Sequence, residues 1–172
     1  MSTAHHQHDA PAVQCGILTI SDTRTEANDT SGQRIRALLE EGGHHVGFYR
    51  IVRDEPEQIV ALLRSAPPAI EVMICNGGTG IATRDTTYEA IVGLLDKEIT
   101  GFGELFRMLS WEQVGAAAML SRATAGIAGA RVIFSLPGST KAVELAMMQL
   151  ILPQLRHIAG LMRQGRCPNP CP

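Results

Sequence analysis

Short runs of apolar residues alternate along this chain with stretches in which apolar positions recur every three or four residues. The alternation predicts strands separated by amphipathic helices. Residues 13–20 are mostly apolar, as suits a strand buried on both faces. Thr30-Ser31-Gly32 offers cap residues for a helix with Ile35, Leu38 and Leu39 inward, ending at Gly42-Gly43. Residues 45–52 form a second strand. Asp54, with Glu57 three residues on, opens a helix with Ile59, Leu62 and Leu63 on its apolar face. Pro67-Pro68 stops that helix before a third strand at 72–75.

The second half continues with helices at 87–95 and 101–109. The latter places Phe102, Leu105, Phe106 and Leu109 at i, i+3, i+4 and i+7. Strands at 123–126 and 130–136, with Gly126 and Gly129 bracketing the turn, would add an antiparallel hairpin. A long helix runs from Ser139 with Val143, Ala146, Met147, Leu150 and Ile151 inward. Pro153 should kink it before Leu155, Ile158 and Met162 resume the stripe. Met108, Met119, Met147 and Met148 suit adaptable packing.

A βαβαβ first half with short connections favours a mostly parallel sheet, joined by right-handed crossovers. The expected fold is α/β, a three-layer sandwich with helices on both faces of a central sheet. It forms one domain over 13–163. Residues 1–12, with His5, His6 and His8, and residues 164–172, with Cys167 and Cys171, lack apolar periodicity and read as mobile arms. The three histidines or the Cys167-x₃-Cys171 pair could bind a metal, but a structural zinc site needs about four ligands and an unordered arm is the plainer reading.

At 172 residues the chain is long enough for a self-sufficient core. A net charge of −2 and an aromatic content of 4% argue against a nucleic-acid partner, which needs a clustered basic surface or stacking platform. No apolar segment reaches the ~20 residues that span a bilayer. The N-terminus lacks a signal-peptide pattern, so a cytoplasmic protein without membrane contact is expected. Cys15 and Cys75 fall in strands and read as buried thiols.

The segment Asn76-Gly77-Gly78-Thr79-Gly80, followed by Arg84-Asp85-Thr86-Thr87, carries the most chemistry. Glycines at a strand-to-helix junction let main-chain N–H groups approach an anion. Asp85 follows at a spacing suited to holding a phosphate-bound Mg²⁺. The lysine of a Walker loop and the G-x-G-x-x-G fingerprint are both absent. Ser21-Asp22, Asp54, Gly77–Gly80 and Leu136–Ser139 all follow predicted strands, where open α/β sheets bind ligands. Ser121-Arg122 and Lys141 offer phosphate contacts, and Pro137-Gly138-Ser139 opens a helix whose free N–H groups suit an anion. Each also has a plainer reading: Asp54 and Asp85 as helix caps, the glycines as a turn, Ser21-Asp22 as turn formers, Arg122 as a solvated side chain.

Gly77-Gly78-Thr79-Gly80, Arg84-Asp85, Gly101-Phe102-Gly103-Glu104 and Leu136-Pro137-Gly138-Ser139 occur in the order found in the MoaB/Mog family of molybdenum-cofactor biosynthesis. That family includes the G domain of gephyrin. Leu18-Thr19-Ile20-Ser21-Asp22 and Asp54-Glu55 extend the resemblance over roughly residues 13–163. The resemblance implies a Mg²⁺- and ATP-dependent adenylylation of molybdopterin, with Asp54 and Asp85 catalytic and metal-holding. It implies substrate binding by Ser21, Asp22, Gly77, Gly78, Thr79, Gly80, Glu104, Ser121, Arg122, Pro137, Gly138 and Ser139. It further implies a homo-oligomer, a trimer or a hexamer. The alternative is a non-catalytic molybdopterin-binding or carrier protein on the same fold. Tyr88, where many members carry proline, and Ser139-Thr140 depart from the usual pattern and bear on substrate fit.

Overall fold

The computed structural model describes residues 11–165. Six strands form one sheet: β1 (Gln14–Ile20), β2 (His45–Val52), β3 (Val72–Asn76), β4 (Lys97–Glu98), β5 (Thr124–Ala128) and β6 (Arg131–Leu136). Their spatial order is β2-β1-β3-β6-β5-β4. The four strands β2, β1, β3 and β6 are mutually parallel, while β5 pairs antiparallel with both β6 and β4. The expected three-layer α/β sandwich and its hairpin are both present.

Helices cover both faces, which is why β1 and β3 read as nearly continuous apolar runs. Alternate residues of these strands enter different cores. Cys15 and Ile17 of β1 join Val72 and Ile74 of β3 beneath α1 (Thr30–Glu41), α4 (Thr100–Val114) and the C-terminal helices. Leu18 and Ile20 join Met73 and Cys75 beneath α2 (Pro56–Ser65) and α3 (Thr87–Val92). Both thiols are buried, and burial pushes Cys15 up to about 12 and Cys75 higher still.

The long C-terminal helix is continuous but changes pitch. It runs as α5 (Thr140–Ala146), a π-helical turn at Met147–Ile151, then α6 (Leu152–Gln164). A proline ring clashes with the carbonyl four residues back, and a wider turn just before Pro153 relieves that clash. The expected kink is thus a local change of winding.

Several local expectations are corrected. The cap of α1 is Asp29, whose Oδ1 accepts from Gly32 N at 3.0 Å, in place of Thr30 or Ser31. Helix α2 opens at Pro56, with Glu55 at the cap position making no side-chain cap bond, so Asp54 does not cap its own helix. Leu105, expected inward, is 47% exposed, because α4 packs through Phe102, Gly103, Phe106 and Ser110. Met108, Met119 and Met148 are also exposed, and only Met147 of the four packs inside. Strand β4 and the 3₁₀ helix Gly115–Leu120 add to the elements that the apolar pattern predicts. A strand of two residues leaves no periodicity to read.

At the N-terminal ends of β1 and β3, Arg163 pairs with both carboxylate oxygens of Glu71 and donates to the Ala12 carbonyl at 3.1 Å. The last residue of the expected N-terminal arm is therefore tied to the domain. The histidines of that arm and the cysteines of the C-terminal tail lie outside the described residues.

Candidate functional site

Strands β1, β3 and β6 end level with one another: Thr19 is opposite Asn76, and Asn76 is opposite Leu136. From β1 the chain moves outward to β2, then returns past β1 to β3, so a switch point lies between β1 and β3. Ser21 N donates to Val52 O at 2.8 Å and Gly77 N to Leu136 O at 2.9 Å, which carries the ladder just past the strand ends. The loops after all four parallel strands therefore meet along one edge.

Residues 77–80 form the centre of this edge. Gly77 has φ +110° and Gly78 φ +63°, both unfavourable for side chains. A Cβ on Gly77 would lie 2.1 Å from the Ile20 carbonyl oxygen. On Gly78 it would lie 2.0 Å from Thr87 Oγ1 and 2.3 Å from Asp54 Oδ2. On Gly80 it would lie 2.6 Å from Asp85 Oδ2. The glycines thus let the loop pass directly between two carboxylates. Gly138, in the loop after β6, rests against Gly77. Thr79, between the glycines, is buried.

Each carboxylate is half engaged by the protein. Asp54 Oδ1 accepts from Thr86 N, Thr86 Oγ1 and Thr87 Oγ1 at 3.2, 2.9 and 3.2 Å. Its Oδ2 takes no hydrogen bond among the described residues. Asp85 Oδ2 accepts from Ala82 N at 2.9 Å, and among the described residues its Oδ1 takes none. The protein's own donors hold each group in place through one of its two oxygens. Among the described residues no group of three or more His, Cys, Asp or Glu could hold a metal. Two carboxylates suit Mg²⁺, which keeps several waters and shares phosphate oxygens.

Arg122 braces the loop. Its Nε donates to Gly80 O and its Nη2 to Asp85 O, both at 2.8 Å, while Nη1 pairs with Glu89. Its main-chain N donates to Thr79 O at 3.2 Å, and its guanidinium lies 5.1 Å from the centre of the Tyr88 ring. All three side-chain nitrogens are already committed to protein acceptors.

Beneath the loop lies a buried polar cluster that the sequence reading missed. Asn76 Nδ2 donates to Thr19 Oγ1 at 2.9 Å, and Ser31 Oγ donates to Asn76 Oδ1 at 2.7 Å. Asp29, fully buried, accepts from Gly32 N, from Tyr49 OH at 2.7 Å and from Arg24 at 3.0 Å. Burial alone would raise its pKa, but hydrogen bonds from Thr19, Tyr49, Gly32 and Arg24 outweigh it and hold the carboxyl below its usual range. Arg24 Nη2 then donates to Gly138 O at 2.8 Å, tying the β6 loop to the frame. The sequence signal was an aspartate directly before a Thr-Ser-Gly cap cluster.

The remaining candidates surround this centre. Ser21 Oγ accepts from Thr23 N and Arg24 N, and Asp22 pairs with Arg84 at 2.8 Å. Ser121, Pro137, Ser139 and Lys141 line a cleft of about 900 Å³ between α4 and α5, with Phe106, Val114, Leu145 and Met148 supplying apolar wall. Ser139 Oγ caps α5 by accepting from Ala142 N at 3.3 Å. Glu104 faces a separate cleft of about 410 Å³ with Tyr88, Glu98, Arg107 and Arg122. Among the described residues no helix is long and apolar enough to cross a membrane.

Residues 16–157 match the family model described as a probable molybdopterin binding domain. The chain is 54% identical over 162 residues to molybdenum cofactor biosynthesis protein B of Bacillus cereus, covering 92% of this chain and 96% of that one. A crystal structure of a molybdenum cofactor biosynthesis protein B superposes with TM-score 0.87 at 53% identity, covering 90% of this chain and 98% of the other. The tungsten cofactor synthesizing protein MoaB from Pyrococcus furiosus superposes with TM-score 0.80 at 39% identity, covering 90% and 99%.

Proposed function

This chain belongs to the molybdopterin-binding-domain family of molybdenum-cofactor biosynthesis proteins, and from that membership we propose that it binds molybdopterin and adenylylates it with ATP. The observation that carries the reading is the pair Asp54 and Asp85, which flank the glycine loop at the switch point with one oxygen each left open. In the reaction, a terminal phosphate oxygen of molybdopterin attacks the α-phosphorus of ATP. The bond from that phosphorus to the bridging oxygen breaks, and pyrophosphate leaves.

Such a transfer gathers several negative charges, so positioning and electrostatics carry most of the catalysis. Main-chain N–H groups of Gly78 and Gly80 offer donors to phosphate oxygens. Asp54 and Asp85 would hold Mg²⁺, which supplies neutralisation of the charge on the reacting phosphates. Arg122 keeps the Gly80–Asp85 segment in place through its bonds to both carbonyls. The cleft lined by Ser121, Pro137 and Ser139 mixes apolar side chains with hydroxyl, amide and charged groups, which suits a pterin. Glu104, in its own cleft beyond Arg122, is assigned to the outer part of the substrate.

The proposal includes a homo-oligomer, trimer or hexamer, working in the cytoplasm. Leu105, Met108, Trp111, Met119 and Leu120 are all exposed on α4 and the 3₁₀ helix after it, as an oligomer face would be in an isolated chain. Light scattering of the protein and of Trp111→Glu tests this part, with dissociation expected in the variant.

The test of the activity is to incubate the protein with molybdopterin, ATP and Mg²⁺ and to measure adenylyl-molybdopterin and pyrophosphate. Product from the parent, with Asp85→Asn losing about 10²–10³ in rate while retaining pterin affinity, supports the enzyme. Tight pterin binding with no product at saturating Mg²⁺ and ATP would replace it with the carrier reading.

A further inference from the structure

Among the described residues, Arg122, Arg24 and Arg84 each bond to or stand in the loops around the glycine segment, and the first two are consumed by the fold. Arg122 spends its guanidinium on Gly80, Asp85 and Glu89. Arg24 spends its own on Asp29, Ser31 and Gly138. The third, Arg84, stands directly before Asp85 and makes one ion pair, to Asp22 Oδ2 at 2.8 Å. Its side chain is 71% exposed and that of Asp22 is 36% exposed. The pair spans from the loop after β3 to the loop after β1, across the mouth of the switch point.

We propose that the Arg84–Asp22 pair is an exchangeable strap: Asp22 holds Arg84 in the resting protein, and a substrate phosphate displaces Asp22 to take the guanidinium. Asp22 is then a placeholder and not itself a substrate contact. An exposed ion pair is a weak competitor, whereas a phosphate offers the guanidinium a bidentate, more highly charged partner. Exchange moves no buried group, and the segment 81–84 that carries Arg84 is exposed throughout. The inference rests on phosphate binding at the proposed site and does not require turnover. Two sources share this chemistry, the triphosphate of ATP and the terminal phosphate of molybdopterin.

The test is the binding of ATP and, separately, of molybdopterin to the full chain, by calorimetry or fluorescence, in Asp22→Asn, Arg84→Ala and the double variant. Releasing Arg84 in Asp22→Asn should tighten one ligand by about two- to fivefold, the worth of an exposed pair. Arg84→Ala should weaken that same ligand by roughly tenfold or more. In the Arg84→Ala background, Asp22→Asn should have no effect. The ligand that responds identifies which phosphate takes the strap. Melting temperatures should fall by no more than about 2–4 °C, since an exposed pair is worth no more than about 1 kcal/mol. Weakened binding in Asp22→Asn, additive effects in the double variant, or no response of either ligand to Arg84→Ala would each overturn the exchange. These readouts use binding alone, so a failure of product formation would overturn the adenylylation reading and leave the strap standing.

Discussion

Asp54 Oδ1 accepts hydrogen bonds from both the main-chain N–H of Thr86, at 3.2 Å, and its hydroxyl, at 2.9 Å. The carboxylate that follows β2 therefore holds the start of α3, the helix that follows β3. One side chain fixes the helix after the glycine loop with one oxygen and faces Gly78 with the other.

That division of labour separates two substitutions. Asp54→Asn can keep its amide oxygen at the Oδ1 position and should unfold within about 1 kcal/mol of the parent. Asp54→Ala removes the acceptor of three donors and should cost about 1–3 kcal/mol. Product formation should fall by about 10²–10³ in both. Denaturant unfolding set beside turnover checks this; an Asn variant with full turnover would leave Asp54 as a helix-holding residue only.

Gly78→Ala should cost stability as well as binding. The added methyl meets Thr87 Oγ1 and Asp54 Oδ2 at 2.0 and 2.3 Å, and the residue must keep φ +63°. The left-handed conformation alone costs about 1–2 kcal/mol, before the carboxylate is displaced. Gly101→Ala is the control, because a methyl there meets nothing within 4 Å. Thermal melts and pterin affinity should both drop for Gly78→Ala and hold for Gly101→Ala.

Arg122→Ala should loosen the 80–85 segment without touching substrate. Two carbonyl acceptors and the Glu89 partner are lost from a side chain that is only 25% exposed, so about 1–2 kcal/mol of stability should go with them. Lysine cannot reproduce the fork and should restore less than half. Hydrogen exchange of the amides in the loop should quicken in Arg122→Ala and stay slow in the sheet.

Asp29 sets part of the acid limit of stability. Its folded pKa is lowered from 3.8, so the folded state binds this proton more weakly than the unfolded chain does. The stability it contributes is complete above the unfolded value and is lost as pH falls through the folded one. The stabilising increment should therefore begin to decline as pH falls below about 4 and be gone only below the folded pKa, and Asp29→Asn should flatten that limb of a plot of unfolding free energy against pH. An unchanged limb would place the acid sensitivity elsewhere.

Much of the architecture was legible because it depends on local pattern. The apolar runs of β1 and β3, the stripe of Ile35, Leu38 and Leu39, and the stop at Pro67-Pro68 each reflect a period or a backbone restriction within a few residues. Strand β4 was not legible, since only its pairing with Ile127 and Gly126 defines it. Leu105 misled for a related reason: helical spacing marks an apolar face but does not say how wide a strip the neighbouring elements cover.

The site divides in the same way. The residue types and order alone determined that glycines, Asp54 and Asp85 follow strands and so belong near one sheet edge. Only the tertiary structure decided what each one touches. Asp54 reads locally as the cap of α2 and in fact holds α3, 32 residues on. Arg122 reads as a phosphate ligand and is spent on the loop, while Arg84 stands at the mouth with an exposed partner. A guanidinium or a carboxylate has the same donors or acceptors wherever it sits. Its role is set by which partners reach it, and those partners come from chain segments that meet only when the sheet is assembled.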